Sequence, residues 1–514
     1  MKQSRPWLYD AWLALSAANV SLLGVWMGLL PYSEPDRFYA NSLPSRTHDA
    51  AALTNLVLLA VVFFLLIRAL RKLLAAGKTK AAAGLFLIPA LVVLNGLRML
   101  AAEGLPILRS QLMQVAGERT AFWLAAAALI LMAERIYAWR NRLLRIAALM
   151  ALLLSPFVLF SVGQTVVRII YPPAPLPAYP PPATRLPPVA QGHIRVVWVI
   201  FDELDYRLAF VDRPGSVAMT EFDRLRGESL FATHASSPAT DTLPSIPSLL
   251  SGRLFARYQP AGPDDLLLFE PGSPAPERWS GPTTIFASAR RKGLNTGVIG
   301  FYIPYCRVLN DVLTGCSWYE TSTRANASGF QFVTVVGNQL RSLAETSFFS
   351  LFGQSLFVKR RVRYLGELHE NACKMASDPD FGLVFLHYPV PHAPHPYDRI
   401  TKSFTKANTM FAGYPDSLAL ADRLLGQLRE AITRAGLWDS TLLLVSSDHP
   451  YRNSRQIDGK SDPRVPFLVK LPGQRTSVEY SPPMHTLVSR GLLEAALEGA
   501  IRTPEDAAKW LEGR

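Results

Sequence analysis

Residues 194–205 read IRVVWVIFDELD. A run of eight residues with one charge, rich in valine and isoleucine, has the composition of a strand buried on both faces. Asp202 and Glu203 follow it directly. Two later stretches repeat the arrangement: Gly382–Leu386 is followed by His387, His392 and His395, and Thr441–Val445 by Ser446-Ser447-Asp448-His449. Helical stretches separate these runs, the pattern of an α/β sandwich. In open α/β sheets ligands bind beyond the carboxyl ends of strands, so three clusters of metal-ligating side chains are placed to converge there.

Each cluster has a plainer reading. An Asp after a strand commonly caps the next helix, and His392 and His395 lie in PVPHAPHPYD, residues 389–398, a proline-stiffened loop that could carry surface histidines. Asp448-His449 needs more explanation, because adjacent groups that are hard to bury follow an apolar strand and require partners. A nucleophile is offered by ATDTLPSIPSLLSGR, residues 239–253. Pro244 marks a helix start at Ser245–Leu250, so Thr242 stands at a helix N-terminus, where backbone N–H groups attract an anion. A hydroxyl there beside a divalent cation would have its pKa lowered and could attack phosphorus or sulfur; the plain alternative is a threonine N-cap.

Working outward, charge is distributed unevenly over the 514 residues. The chain is 49% hydrophobic, 18% charged and carries a net +13. The first 170 residues hold 17 Lys and Arg against 7 Asp and Glu; the rest holds 36 against 33. The nearly neutral remainder lacks the basic folded face that nucleic-acid binding requires, so no nucleic-acid partner is expected. In the N-terminal third, uncharged runs at 11–33, 50–67, 81–97, 120–133 and 146–167 predict five transmembrane helices. Eleven of the 17 basic residues fall before the first run, between the second and third, and between the fourth and fifth, which places those connections in the cytoplasm. The N-terminus is then inside and the chain beyond Arg168 outside, with no cleavage site for a signal peptide. Nine of the 17 residues in 172–188 are proline, predicting a polyproline spacer on the order of 50 Å long. The expected organisation is a membrane domain over 1–170, a linker over 171–190 and an exported domain over 191–514. Outside the cytoplasm, Cys306 and Cys316, with nine residues between them, could pair or remain two buried thiols. Asn326-Ala327-Ser328 is a weak glycosylation tripeptide.

These motifs resemble the sulfatase and alkaline phosphatase superfamily, and within it the membrane-anchored phosphoethanolamine transferases and lipoteichoic acid synthases. VVWVIFDELD is similar to the family's first strand with its acidic metal ligands, and TLPSIPSLLSG to the signature C-x-P-S-R-x-S-L-L-T-G, with Thr242 at the modified cysteine. SSDHP and RVPFLVKLPG resemble the S-D-H-G and R-V-P segments, with Pro450 in place of the glycine. LHYPVPHAPHPY resembles the histidine segment that contacts the transferred anion, with His392 on that position and His387 and His395 beside it. The resemblance implies an alkaline-phosphatase-like α/β fold with a central mixed sheet, and one divalent ion, Zn or Mn rather than Ca or Mg, held by Asp202, Glu203, Thr242, Asp448 and His449. Arg455, Lys460 and Arg464 are candidate cations for the transferred anion, with solvated loop charges as the alternative. Sulfatases of the superfamily oxidise Cys or Ser to formylglycine, and threonine cannot give that aldehyde, so a phosphoester is favoured over a sulfate ester.

The implied activity is transfer from a phospholipid headgroup, through a covalent intermediate on Thr242, to a glycolipid or glycan at the outer face of a bacterial inner membrane. Two alternatives stand beside it: a hydrolase of sulfate or phosphate esters that uses water alone, and a non-catalytic membrane scaffold with the same fold.

Overall fold

The computed structural model describes residues 6–29, 37–40, 42–78, 152–187, 194–320, 331–346, 356–408 and 413–514, with isolated positions between 81 and 150. The chain forms two compact units: residues 1–32, 42–175 and 323–357 in one, and residues 33–41, 176–322 and 358–514 in the other.

The first unit is helical. Helix α1 (Pro6–Ser21) continues into α2 (Leu23–Leu29) through a bend of 59°. Helix α3 (Arg46–Ala75) has 30 residues, about 45 Å at 1.5 Å per residue, enough to cross a bilayer. Helix α4 (Pro156–Ile170) is apolar but has 15 residues. Among the described residues one helix, or two if the bent pair counts as one, is long and apolar enough to span a membrane. The expected spans at 81–97 and 120–133 lie outside the described residues, as does the tripeptide at 326–328. Ala14, Ala18, Trp26, Leu56 and Phe63 form the interior of the unit, whereas Val57, Leu58, Val61, Val62 and Leu65 of α3 point outward, as lipid-facing positions would. The ends of the helices are tied by charge. Asp10 pairs with Arg71 at 2.5 Å and Arg68 at 3.5 Å, and Asp49 with Arg168 at 3.3 Å.

Helix α6 (Phe332–Thr346) lies in this unit although the sequence reading assigned it to the exported domain. Its Gln339 accepts from Asn55 of α3 at 2.9 Å and donates to the His48 carbonyl at 3.1 Å. Buried amides that satisfy one another so far apart in sequence leave no periodic trace, which is why the boundary was missed.

The second unit is built on an eight-stranded sheet. In chain order the strands are β1 (Arg195–Phe201), β2 (Leu230–Ala232), β3 (Asn295–Phe301), β4 (Gly315–Tyr319), β5 (Phe381–Tyr388), β6 (Thr441–Ser446), β7 (Phe467–Lys470) and β8 (Val478–Tyr480). Their spatial order is β8-β2-β7-β6-β1-β5-β3-β4. Strands β6, β1, β5, β3 and β4 are mutually parallel, while β7 runs antiparallel to both β6 and β2, so the sheet is mixed as expected. Every residue of β1, β3, β5 and β6 is buried, because helices cover both faces. Trp198, Phe385, Leu444 and Phe286 fill one side, and Phe201, Phe222, Leu386 and Leu425 the other. Helix α5 (Thr242–Ser251) is buried over its whole length and stops at Gly252, whose φ of 68° is open to a residue without Cβ. Helices α7 (Leu356–Ala376) and α8 (Tyr414–Arg434) complete the layers used below.

Two segments depart from expectation. The proline-rich stretch forms no helix or strand over 172–187, yet from residue 176 it belongs to the sheet unit and is no free spacer. Ala183 N–H donates to the carbonyls of Asn310 and Leu313 at 3.1 and 2.9 Å, Leu186 exchanges bonds with the Asn295 side chain, and Arg185 meets Asp380 at 2.6 Å. Extended proline-rich chain leaves its backbone groups unpaired, and here they find partners on a folded surface. The second segment, residues 37–40, lies between α2 and α3 in sequence but packs into the sheet unit. Phe38 is fully buried in its core, and Arg307 holds the Ala40 carbonyl at 2.9 Å. Phe38→Ala should therefore cost about 3–5 kcal/mol of stability in the sheet unit, measured by denaturant melting of the detergent-solubilised protein. An unchanged midpoint would show that the segment is not part of that core.

Candidate active site

The carboxyl ends of β1, β5 and β6 bring the candidate ligands together. Asp202 follows β1, and Asp448 and His449 lie just past β6. One ligand atom from each of Asp202, Asp448 and His449 falls in a group whose members are all within 4.8 Å of one another, fully buried. His449 Nε2 is 3.7 Å from Asp202 Oδ1 and 3.4 Å from Asp448 Oδ2. Its Nδ1 is 3.0 Å from the Pro450 carbonyl, which fixes the tautomer with Nε2 facing the carboxylates. Pro450 thus does in this chain what a backbone acceptor must do, although it replaces the glycine of the resembling motif.

The turn after β1 is held in an unusual conformation. Glu203 has φ 65°, uncommon for a residue with a side chain and frequent at functional sites. Three contacts sustain it: Asp448 Oδ1 accepts its N–H at 3.3 Å, the Tyr414 hydroxyl donates to its carbonyl at 2.7 Å, and the Ser447 hydroxyl accepts the next N–H at 2.9 Å. Ser447, named in the sequence only as part of the SSDHP motif, and Tyr414, which no motif marks, fix the turn that follows Asp202.

Thr242 begins α5, with Asp241 in extended conformation as the N-cap. The helix starts three residues earlier than predicted, because Pro244 sits in the first turn, where no N–H is needed. The Thr242 Oγ1 is 3.3 Å from His449 Nε2 and near enough to the Asp448 carboxylate to favour its charged form. Its hydroxyl therefore adjoins the Asp-Asp-His group.

Electrostatics favour a cation in this group. Burial, together with the nearby Asp448 and Glu203 carboxylates, raises Asp202 well above the usual carboxylate range. Asp202 Oδ1 and Asp448 Oδ2 have no hydrogen-bond partner among the described residues. Two buried carboxylates this close cannot both stay ionised unless positive charge lies between them. Carboxylate and imidazole donors suit a divalent ion, so the residues present fit the metal that the fold implies.

The remaining predicted residues are distributed as follows. Glu203 is buried beside the group but outside it; its carboxylate accepts from Arg452 at 2.9 Å, so the proposed ligand is instead half of an ion pair. His387 is fully buried, with Nδ1 2.9 Å from the Tyr305 hydroxyl, and burial lowers its pKa to about 4, so it is neutral near pH 7. Its Nε2 has no partner among the described residues. His392 donates its backbone N–H to the Asp202 carbonyl at 3.1 Å and is half-buried at the site. His395 is buried against Ser417, 2.8 Å from its hydroxyl, and edge-on to Tyr414, a structural position behind the site. Arg455, Lys460 and Arg464 are engaged locally, with Ser461, Asp212 and Asp462 respectively, and none meets the Asp-Asp-His group. Their nearness in sequence to Asp448 was a poor guide, since each finds a partner on its own loop or the neighbouring one.

The cations at the site are others. Arg452 bridges Glu203 and Asp241, the latter at 2.7 Å, and so links the β1 turn to the start of α5. Arg361 of α7 lies over the Phe301 ring at 4.6 Å and is attracted by Asp202; burial lowers its pKa to about 10, leaving it charged. No sequence pattern connects these partners. Cys306 and Cys316 are joined by a disulfide, closing the loop after β3, while burial pushes the remaining Cys373 thiol up to about 11.

A family model described as Sulfatase matches residues 195–490. No curated protein matches the chain. Among solved structures, the chain is similar to Ps i-CgsB in complex with k-i-k-neocarrahexaose, at 16% identity and TM-score 0.42 over 61% of this chain and 74% of that one. It is similar to a phosphonate monoester hydrolase of Agrobacterium radiobacter, at 14% identity and TM-score 0.38 over 59% and 74%. It is also similar to the PsFucS1 sulfatase from Pseudoalteromonas sp., at 13% identity and TM-score 0.40 over 60% and 68%.

Proposed function

The chain belongs to the sulfatase family, whose members hydrolyse or transfer sulfate and phosphate esters, and we propose that this one is a phosphotransferase that takes its group from a membrane lipid. Thr242 carries the reading. It stands where a sulfatase needs an oxidisable cysteine or serine, and its hydroxyl adjoins His449 and Asp448. Threonine cannot become formylglycine, but it can attack phosphorus directly.

Thr242 Oγ1 gives up its proton and forms a bond to phosphorus; the bond from phosphorus to the lipid glycerol oxygen breaks, and that oxygen takes a proton to leave as diacylglycerol. An acceptor hydroxyl on a glycolipid or glycan then attacks the same phosphorus, releasing Thr242. Asp202, Asp448 and His449 would hold a divalent ion, zinc or manganese by its donors, which when bound would lower the hydroxyl pKa and offset charge on the transferred group. Arg452 and Arg361 hold positive charge beside it, and the N–H groups at the start of α5 face the same region. His392 contacts the anion.

The reading anchors the protein in the bacterial inner membrane, and the one or two long apolar helices near its N-terminus are compatible with that. In this reading it crosses five times, with residues 191–514 mainly outside and the basic connections in the cytoplasm. Phosphatidylethanolamine and phosphatidylglycerol are the donors such an anchor brings within reach.

The test is mass spectrometry of the purified protein after incubation with vesicles of these two lipids. A headgroup phosphate adduct on the peptide carrying Thr242 is expected, and its mass names the donor. Turnover of soluble esters with water alone, and no adduct from lipid, would establish a hydrolase instead.

A further inference from the structure

The site is bordered by a residue from the far end of the sequence. Tyr302 follows the carboxyl end of β3, on the same edge of the sheet as Asp202, with φ 70° and its N–H bonded to the Tyr319 carbonyl at 2.9 Å. A side-chain-bearing residue held in the left-handed region is costly and recurs where position matters. Its ring stacks on Tyr39, with centroids 5.1 Å apart and planes 19° from parallel. Phe301, the residue before Tyr302, has its ring 5.2 Å from that of His387 and lies under Arg361 at 4.6 Å, which puts the pair beside the site, where Asp202 and Arg452 act on the Tyr302 phenol.

Tyr39 is built in. Phe38 beside it is fully buried, Arg307 grips the carbonyls of Ala40 and Arg37 at 2.9 and 3.5 Å, and Arg307 itself adjoins the Cys306–Cys316 disulfide. Seven residues on from Tyr39 comes Arg46, the first residue of the long apolar helix α3. Fully extended, that stretch reaches no more than about 24 Å.

We propose that Tyr39 and Tyr302 form one wall of the substrate pocket, and that Tyr39 is a specificity-determining residue for esters whose leaving group is a membrane lipid. This rests on the lipid-donor reading above. The argument is one of connection. A flat aromatic surface beside Arg452 can hold the glycerol and ester region of a phospholipid, and it is tied by a short stretch of chain to a candidate membrane span. A soluble ester with a small leaving group has no use for that wall, since the reacting oxygens and phosphorus are met by Thr242 and the Asp-Asp-His group.

The test compares full-length wild type, Tyr39→Ala and Tyr39→Phe in vesicles of phosphatidylethanolamine and phosphatidylglycerol, and separately with the soluble diester methyl 2-aminoethyl phosphate, whose leaving group is a single carbon. Losing one desolvated aromatic contact should raise KM for the vesicle lipid about tenfold, with kcat nearly unchanged and the soluble ester turned over as by wild type. Tyr39→Phe, which keeps the ring, should resemble wild type. Should Tyr39→Ala lose its melting transition, Tyr39→Leu carries the same expectation. Equal loss on both esters would assign Tyr39 a merely structural role and overturn the proposal, as would an unchanged KM. Wild type that acts on the soluble ester but neither turns over nor is labelled by lipid would overturn the donor reading and this proposal together, whereas lipid turnover unaffected by the variants would overturn this proposal alone.

Discussion

Thr242→Ala is expected to lower turnover by on the order of 10⁴-fold, the scale on which removal of a covalent nucleophile acts, while the protein stays folded. The structural cost should be small. Thr242 occupies the first turn of α5, where the cap residue is Asp241, and its Oγ1 faces His449 Nε2. No neighbouring hydroxyl is placed to substitute: Ser245 Oγ donates to the Ala239 carbonyl at 3.2 Å, and Ser248 Oγ to the Pro244 carbonyl at 2.6 Å. Thr242→Ser keeps the hydroxyl and should retain most of the activity, losing only the methyl group that fixes its rotamer. The measurement is kcat on 4-nitrophenyl phosphate and on vesicle lipid, beside melting curves for all three proteins. If the alanine variant keeps turnover within about tenfold, a water molecule is the attacking group and the covalent intermediate is wrong.

The three runs quoted from the sequence became the adjacent parallel strands β6, β1 and β5, so convergence of their carboxyl ends followed from strand order alone. Asp202, Asp448, His449 and Thr242 were legible because each sits at the junction of a regular element and a turn, where local composition changes sharply. What escaped were partners joined only by the fold. Arg452 and Glu203 are 249 positions apart, and Phe38 is separated by more than 150 residues from any strand whose core it enters. Composition placed residues 34–49 in a connection between two apolar runs; nothing in so short a stretch announces that Phe38 is a core side chain of another unit. The proline-rich stretch was misjudged differently. Proline content governs backbone shape and says little about whether a surface awaits it.

Asp448→Asn is expected to abolish the bound divalent ion and, in the presence of a chelator, to melt at or above wild type. The two outcomes have one cause. Asp448 uses its oxygens differently: Oδ1 accepts the N–H groups of Glu203 and His449 at 3.3 and 2.9 Å, whereas Oδ2 faces His449 Nε2 and has no hydrogen-bond partner among the described residues. Asparagine with its carbonyl at the Oδ1 position keeps both N–H bonds and removes the charge that repels Asp202. Without metal, that repulsion is a cost wild type bears and the variant does not. With metal, the order reverses. An ion at a hundredfold its Kd stabilises wild type by about 2.7 kcal/mol and leaves a non-binding variant unchanged. Elemental analysis should find about one equivalent in wild type, and melting with added zinc, manganese, calcium and magnesium should show the largest rise for one of the first two, as the His449 imidazole favours. Asp448→Ala should be less stable than either, because it also strands the two N–H groups that hold the Glu203 turn. Equal metal content in wild type and Asp448→Asn would remove Asp448 from the coordination shell, and a chelated variant less stable than chelated wild type would show that charge at this position serves the fold and not an ion.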